Sequence, residues 1–326
     1  MRRLPEFISG KKTPFTVFLQ AVSAGEKFAT VLQVMDIVIT YVDGLDPVWQ
    51  KDYERYTNQP VLEKRFRDWG TLPYLFRGIA VNMPFIRKVH LVVSHDSQVP
   101  AWINRDEVNI VLHRDIIPEE FLPTFNSTAI EMFLHRIADL DEEFLYFNDD
   151  MYPMLECRAE DFFRDGKGII GMSSHFWPSN MYKIHCRNSY RAACHGVGRK
   201  PGLCFLRPQH ICSPMLRSKC EELYDRLREQ IHVSITRVRS NGNLNQYLYL
   251  DYIYLEGKII NKRQPKKHFS LGVASAKSLC QFIMHPTHKL ACINDVQLGE
   301  ERFVELKKTI LYAFNQRFPK KSKFEV

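Results

Sequence analysis

The sequence lacks several features that would place it among membrane-spanning, disulfide-rich or repetitive proteins. No stretch approaches the ~20 apolar residues that a membrane-spanning helix requires. The eight cysteines contain no CxxC pair, and neither an internal repeat nor a low-complexity segment is found. What is present is ordinary for a globular protein: 326 residues, 45% of them hydrophobic and 25% charged. This length fits one large domain or a core domain with a substantial insertion.

The cysteines leave two interpretations open. Four of them cluster with three histidines, namely Cys186, Cys194, Cys204 and Cys212 with His185, His195 and His210. Zinc ligands usually come as close pairs about two to four residues apart, whereas these cysteines are spaced by eight or ten. The spacing therefore favours reduced, partly buried thiols of a cytosolic protein, with a zinc site as the alternative.

The charge balance predicts an anionic partner. The net charge is +8 and the isoelectric point is about 9.0, which suits nucleic acid, acidic lipid or a phosphorylated substrate. The excess is spread along the chain, with only a short basic run at Lys320, Lys321 and Lys323. Because no RNA- or DNA-binding motif accompanies the charge, we expect a phosphorylated small molecule and no nucleic acid.

Alternating strand and helix patterns predict an α/β fold with a doubly wound, mostly parallel, Rossmann-like sheet. Four buried strands are expected, in the segments MDIVITYVDG, VHLVVS, VNIVLHR and FLYFNDD. One helix is predicted to begin after Thr71, with Pro73 in its first turn. A second helix is predicted around Thr128 and Glu131, which have the spacing of a capping box.

The patterns divide the chain into four parts. Residues 1–34 are interpreted as an N-terminal helical extension resting on a membrane surface; a signal peptide is the alternative, although Gln20 interrupts the apolar run. Residues 35–154 form the α/β core, and residues 155–286 an inserted mixed cap region. Residues 287–326 form a C-terminal segment with an amphipathic helix.

Polar residues follow all four predicted strands. They are Asp43-Gly44, Ser94-His95-Asp96, His113-Arg114-Asp115 and Asn148-Asp149-Asp150. In open α/β sheets, ligands bind outside the carboxyl ends of the strands. We therefore expect these groups to converge on one site.

The adjacent carboxylates of FLYFNDDMYP suggest a cation. Like charges this close repel unless something positive lies between them. Mg²⁺ binds one or two carboxylates and takes its other ligands from water and substrate phosphates. If the extended strand persists, Asn148 and Asp150 face one way and Asp149 the other, so Asp150 is the first metal candidate. The alternative is an Asx turn that satisfies backbone groups.

Two further segments offer ligand contacts. Arg65 and Arg67 in KRFRD are suited to bidentate phosphate binding, or else belong to a solvated basic loop. Asp43 could orient a ribose or sugar hydroxyl, together with Asp46. Asp46 precedes Pro47, however, and could equally belong to a turn.

Four segments resemble, in order, the four conserved regions of the Stealth family. DIVITYVDGLDPVW and KRFRDWGTLPYLFRGI are followed by LPTFNSTAIEMFLHRI with FLYFNDDMY, then QHICSPMLRS, and finally ACINDVQ with RFPKKSKFE. The resemblance covers Asp36 to Glu325. It implies a bacterial capsular or receptor polysaccharide phosphotransferase, related to the catalytic subunit of the lysosomal-enzyme GlcNAc-1-phosphotransferase. One departure is Cys212, which stands where relatives often have the first Pro of a His-x-Pro-x-Pro motif.

The resemblance implies a reaction. A sugar hydroxyl attacks the β-phosphorus of a UDP-sugar, UMP leaves, and a hexose-1-phosphate is transferred into a phosphodiester. Residues 35–154 would bind the nucleotide sugar, 155–286 would lie on the acceptor side, and 287–326 would complete the active site. The acceptor would be an oligosaccharide or a lipid-linked glycan.

The resemblance also implies roles for individual residues. His210 would be the general base, and Arg239 would hold the β-phosphate, with Arg237 as the alternative. Asp150 is expected to act in catalysis and to bind Mg²⁺ (or Mn²⁺). The expected metal ligands are Asp149, Asp150, Asn294 and Asp295, and the expected substrate contacts are Asp43, Gly44, Arg65, Arg67, Asn126, Ser127 and Asn148.

Two other functions are kept as alternatives. A metal-dependent glycosyltransferase would break the sugar–oxygen bond and release UDP, and a scaffold for polysaccharide assembly would have no turnover. The expected location is the cytoplasm, with peripheral contact at the inner face of the plasma membrane. The sugar, the acceptor linkage and the oligomeric state do not follow from the sequence.

Overall fold

The central element of the fold is a five-stranded sheet. The computed structural model describes residues 34–58, 66–294 and 298–326. The strands of the sheet are β1 (Met35–Thr40), β2 (Ile86–Val93), β3 (Val108–Leu112), β4 (Glu143–Asn148) and β10 (Ser213–Leu216), in the order β10-β4-β1-β2-β3. Strands β4, β1, β2 and β3 are parallel to one another, and β10 is antiparallel to β4. The predicted α/β fold with a mostly parallel, Rossmann-like sheet is confirmed, as are its four strands.

The strand order creates a switch point between β1 and β4. From β1 the chain builds outward through β2 to β3, and it then crosses back to place β4 on the other side of β1. Thr40 and Asn148, the last residues of β1 and β4, are register partners. Ligands of open α/β sheets bind in the crevice where the strand order reverses. The segments that follow Thr40 and Asn148 therefore flank the position where a ligand is expected.

Three small sheets surround the central one. Their strands are β5 (Met151–Pro153), β6 (Phe163–Arg164), β7 (Lys167–Ile170), β8 (Met172–His175), β9 (Phe205–Pro208), β11 (Ile259–Asn261), β12 (Lys266–Ser270) and β13 (Leu290–Asn294). Strand β13 is parallel to β12 and antiparallel to β5, with Cys292 opposite Met151. This pairing brings the C-terminal part of the chain to the end of the Asn148–Asp150 segment.

The helices of the described residues lie between and around these strands. They are α1 (Pro47–Thr57), α2 (Leu72–Asn82), α3 (His113–Ile116), α4 (Ser127–Glu131), α5 (Met181–Gly196), α6 (Arg217–Arg226), α7 (Arg228–Ser234), α8 (Tyr247–Leu255), α9 (Ala276–Met284) and α10 (Glu300–Arg317). Helix α2 begins after Thr71 as predicted, although the Thr71 hydroxyl accepts a hydrogen bond from Tyr152 (2.8 Å) and caps no backbone group. Helix α10 confirms the predicted C-terminal helix. Among the residues described, none of the helices is long and apolar enough to cross a membrane.

The capping box predicted at Thr128 and Glu131 is wrong. Asn126 caps α4 instead, by accepting from the Thr128 backbone N–H, and α4 ends at Glu131. The Glu131 carboxylate accepts the backbone N–H of Gln246 (2.8 Å), which lies far along the chain. A tertiary contact thus takes the side chain that the local pattern had assigned to the helix end.

The domain boundaries at residues 154 and 286 stay predictions. Strand β10, from segment 155–286, is hydrogen-bonded to β4 and extends the central sheet by one edge strand. The predicted N-terminal extension, apart from Val34, lies outside the described residues, as do Arg65 and Asp295.

Candidate active site

The Asn148–Asp150 segment forms a turn at the switch point of the sheet. Strand β4 ends at Asn148, and the Asp150 carbonyl accepts the backbone N–H of Ile293 (2.9 Å), so the chain bends toward β13. The expectation of a continuing strand is therefore wrong at Asp149 and Asp150. Even so, Asn148 Oδ1 and Asp150 Oδ1 are both buried and have no hydrogen-bond partner among the described residues. Two unsatisfied buried acceptors, which cost about 1–3 kcal/mol each, indicate a place for a cation or a donor.

The other oxygen of Asp150 contacts β13. Asp150 Oδ2 lies 3.4 Å from the Cys292 sulfur and 3.3 Å from Asn294 Nδ2, which both donate to it. The structure thus brings together Asp150 and Asn294, two of the predicted metal ligands. Asp149 is exposed in the same turn.

His210 lies beside Asp150. A ring nitrogen of His210, a carboxylate oxygen of Asp150 and the Cys292 sulfur all lie within 4.8 Å of one another. His210 Nδ1 is 3.3 Å from the Tyr247 hydroxyl, and the ring packs edge-on against Tyr182. Burial lowers the pKa of His210, and the charge of Asp150 opposes this shift without overcoming it. The imidazole is therefore neutral at pH 7 and able to accept a proton.

Several basic residues near His210 escaped the sequence-based prediction. The Lys266 ammonium donates to the His210 carbonyl oxygen. Burial lowers the pKa of Lys266, with Asp150 opposing the shift and Arg207 and Arg263 adding to it. His268, two residues after Lys266 on β12, also feels the field of Asp150. The usable signal was the alternation of Lys266 and His268, which places both on one face of a strand.

Arg239 and Arg237 have different partners in the structure. Arg239 donates to the Ser127 hydroxyl (2.6 Å), so two of the predicted site residues meet. The Arg237 guanidinium instead donates to the Leu122 carbonyl (3.2 Å) and lies over the Tyr56 ring.

Asn126 supports the site without facing a ligand. Its amide nitrogen donates to Thr236 and Asn243, and its oxygen accepts from Thr128 twice. Because the side chain is fully buried and all its hydrogen-bonding groups are used, the predicted substrate contact at Asn126 is not supported. Asn126 joins α4 to the segment that carries Arg239.

Glu131 is a buried acid that sequence reasoning missed as part of the site. Burial raises the pKa of Glu131 to about 7, although the Gln246 N–H, Arg239 and the Tyr146 hydroxyl favour its charged form. The Tyr146 hydroxyl also lies 2.9 Å from the Thr40 hydroxyl, at the end of β1. Only the fold reveals this buried environment of Glu131, because its spacing from Thr128 in the sequence had suggested a capping residue.

The Asp43–Gly44 turn lies on the β1 side of the switch point. Asp43 Oδ1 accepts the Leu45 N–H (2.8 Å), and the Asp43 backbone is held by the Gln98 side chain. A Cβ atom on Gly44 would lie 2.3 Å from the Phe66 carbonyl oxygen, so only glycine fits this close approach.

Asp46 has a structural role. Its Oδ1 accepts the Val48 N–H at the start of α1, and its Oδ2 accepts from Ser97 and Gln98. Of the two interpretations of Asp46, the turn is confirmed.

Arg67 lines a cavity next to the Asp149–Asp150 turn. The cavity has a volume of about 150 Å³, and its walls include Tyr41, Trp69 and Leu271. The Arg67 guanidinium is paired with Glu300 (2.7 Å) and lies 4.5 Å from the centre of the Phe303 ring. A solvated loop is therefore the wrong description of Arg67, while its phosphate contact stays a prediction.

The alternative zinc site, formed by the clustered cysteines and histidines, is not found in the part of the chain that the structure describes. There, the group of histidine, cysteine and acidic side chains close enough to share an ion is Asp150, His210 and Cys292. Cys186 and Cys194 are buried in α5 and are not part of that group.

Several known proteins are similar to this chain over most of its length. The family model described as "Stealth protein CR2, conserved region 2" matches residues 65–170. The chain is 30% identical to the receptor polysaccharide phosphotransferase WefC of Streptococcus oralis over 336 residues, covering 90% of this chain and 99% of that protein. It is 29% identical to the exopolysaccharide phosphotransferase cps2G of Lactiplantibacillus plantarum (strain ATCC BAA-793 / NCIMB 8826 / WCFS1), covering 89% and 96%.

Among solved structures, the glycosyltransferase GlyE of Streptococcus pneumoniae TIGR4 is similar at 12% identity and a TM-score of 0.40, covering 89% of this chain and 66% of that one. A likeness this distant says nothing about activity. The match with WefC spans 90% of this chain and 99% of that protein, at 30% identity. The chain therefore belongs to the Stealth family, and it is a phosphotransferase.

Proposed function

We propose that the protein transfers a hexose-1-phosphate from a UDP-sugar to a hydroxyl group of an oligosaccharide or lipid-linked glycan, forming a phosphodiester in a cell-surface or capsular polysaccharide and releasing UMP. The observation that carries this proposal is the meeting of Asp150, Asn294 and His210 at the switch point of the sheet. The relatives, which are named as phosphotransferases of receptor polysaccharide and exopolysaccharide, support it.

His210 is the proposed general base. A sugar hydroxyl becomes a good nucleophile only when a base takes its proton, a contribution of about 10²–10⁴-fold. The neutral imidazole accepts that proton as the hydroxyl oxygen attacks the β-phosphorus, and the bond from the β-phosphorus to the bridging oxygen breaks as UMP leaves. The Tyr247 hydroxyl, 3.3 Å from His210 Nδ1, fixes the orientation of the ring.

The turn after β4 fits a hard divalent cation, Mg²⁺ or Mn²⁺. The unpartnered oxygens Asn148 Oδ1 and Asp150 Oδ1 are the kind of ligand these ions prefer. Asp149 and Asn294 belong to the same rim, and Asp295 follows directly in the sequence. When bound, such an ion would neutralise charge on the diphosphate.

The cations of the site suit the diphosphate. Arg239, oriented by Ser127, is the proposed β-phosphate contact, and the charges of Arg207 and Lys266 act on His210. Arg207, which is half-buried, forms no ion pair with a described residue. Buried or half-buried charges without a partner favour an anionic ligand, and donors placed where phosphate charge develops favour the transition state.

Two alternatives are separated by their products. A glycosyltransferase of the same fold would release UDP, and an inactive scaffold would release neither nucleotide. The proposed location, the cytoplasm with contact at the inner face of the plasma membrane, calls for fractionation of cells that express the full chain.

The deciding experiment incubates the protein with Mg²⁺, a panel of UDP-sugars and oligosaccharide acceptors, and then resolves the nucleotides. We expect UMP together with a new phosphodiester signal in the ³¹P spectrum, and loss of both with EDTA or in Asp150→Asn. Asp106→Asn, an exposed carboxylate outside the site, is the matched control. UDP without UMP would establish the glycosyltransferase, and no acceptor-dependent nucleotide release would establish the scaffold.

A further inference from the structure

Asp150, His210 and Cys292 form a set of donors that differs from a magnesium site. They offer one oxygen, one nitrogen and one sulfur, on three separate segments of the chain that meet within 4.8 Å. Mg²⁺ prefers oxygen ligands, whereas Zn²⁺ is bound by cysteine, histidine and carboxylate together. The donor types therefore point to a second, softer class of ion.

The geometry needs little adjustment to close around such an ion. Two protein ligands of a tetrahedral zinc lie roughly 3.5 Å apart, given bond lengths of about 2.0–2.3 Å. The Cys292 sulfur and Asp150 Oδ2 are already 3.4 Å apart. Cys292 is held by β13 between β5 and β12, and His210 is held through its carbonyl by Lys266, so all three donors are carried by supported backbone.

The two oxygens of Asp150 face different partners. Oδ1 is buried and has no hydrogen-bond partner among the described residues, so it is free for the proposed magnesium ion. Oδ2 accepts from the Cys292 thiol and from Asn294 Nδ2, and a ring nitrogen of His210 lies in the same group of donors. The Asp150 carboxylate therefore has one unpartnered oxygen and one oxygen against a soft donor.

We propose that Asp150, His210 and Cys292 bind a borderline-soft divalent ion of the Zn²⁺ class, with a fourth position left for water, and that this ion inhibits the transferase. On binding, the thiol of Cys292 releases its proton to solvent, and a ring nitrogen of neutral His210 donates its lone pair, so no redox change occurs. The inhibition rests on the proposed function, because a metal-bound His210 cannot accept the proton of an acceptor hydroxyl.

The site itself is tested without any turnover, by titrating the full chain with Co²⁺ alone and recording the absorption spectrum. Four-coordinate Co²⁺ with a thiolate ligand gives intense visible bands and a sulfur-to-cobalt charge-transfer band. Cys292→Ser should abolish the charge-transfer band and weaken binding by more than the roughly 10–100-fold that loss of an outer-shell partner costs. Cys280→Ser, a partly exposed cysteine on α9, is the matched control and should keep both.

The proposed ion site is refuted if the charge-transfer band is unchanged in Cys292→Ser. It is also refuted if the wild type gives the weak spectrum of six-coordinate Co²⁺. Circular dichroism of the variant excludes misfolding, and Asp150→Asn provides a second ligand variant. In the Mg²⁺-dependent transferase assay, added Zn²⁺ should inhibit the wild type and Cys280→Ser at lower concentration than Cys292→Ser. Equal sensitivity of the wild type and Cys292→Ser to Zn²⁺ refutes the proposed inhibition. A protein without transferase activity contradicts the proposed function, and the cobalt spectra alone then decide whether the ion site exists.

Discussion

The coupling between Asp150 and His210 gives the sharpest test of the site. Replacing Asp150 by Asn keeps the side-chain shape and removes a negative charge within 4.8 Å of the His210 ring. Coulomb's law with an effective dielectric constant of about 20 gives on the order of 3 kcal/mol for unit charges at that distance, and water at this half-buried position reduces it. Since the charge of Asp150 favours protonated His210, we expect Asp150→Asn to lower the pKa of His210 further below its ordinary value.

The assay is a histidine titration by NMR in metal-free protein, with the His210 resonance assigned by comparison with His210→Gln. The matched control is Asp149→Asn, which removes the same charge from the neighbouring exposed residue. Asp149 is not among the groups that shift the pKa of His210, so the control should leave the titration close to that of the wild type. A pKa of His210 that rises or stays constant in Asp150→Asn would refute the shared site.

Three further predictions concern activity and stability. His210→Gln should lower kcat by about 10²–10⁴-fold. Because burial lowers the pKa of His210, the activity of the wild type should decline only as the pH falls below about 6.5. A steep loss of activity above that pH would contradict the assignment of His210 as the base. Arg239→Ala should lower kcat/KM by on the order of 10²-fold, and Arg237→Ala, the control of the same type two residues away, by far less; equal losses would mean that the two roles are shared or exchanged. Glu131 has a pKa raised to about 7, so the unfolded state loses this proton first and stability should fall as the pH rises from about 4.5 to 7. Glu131→Gln keeps an acceptor for Gln246 and should flatten that slope in urea unfolding, whereas an unchanged slope would show that Glu131 is not its source.

Local patterns were sufficient for the four parallel strands of the central sheet, because buried parallel strands are continuous apolar runs, but they missed the antiparallel edge strand β10. Met35–Thr40, Val108–Leu112 and Glu143–Asn148 could be recognised without knowing their neighbours. Local patterns failed at Glu131, because its carboxylate accepts the backbone N–H of Gln246, 115 residues away, instead of capping its own helix. They also failed beyond Asn148, because the turn there is held by β13.

The α/β fold, the position of the acidic turn and, through resemblance, the family could be predicted from the amino-acid sequence, and the role of His210 as base stays a proposal. The contact of Cys292 with Asp150, 142 residues away, and that of Lys266 with His210 could be found only in the folded chain. The physical reason is that strand pairing between β5, β13 and β12 sets these contacts, and pairing register depends on the partner strands rather than on any local motif. The grouping of Asp150, His210 and Cys292 is therefore a property of the fold.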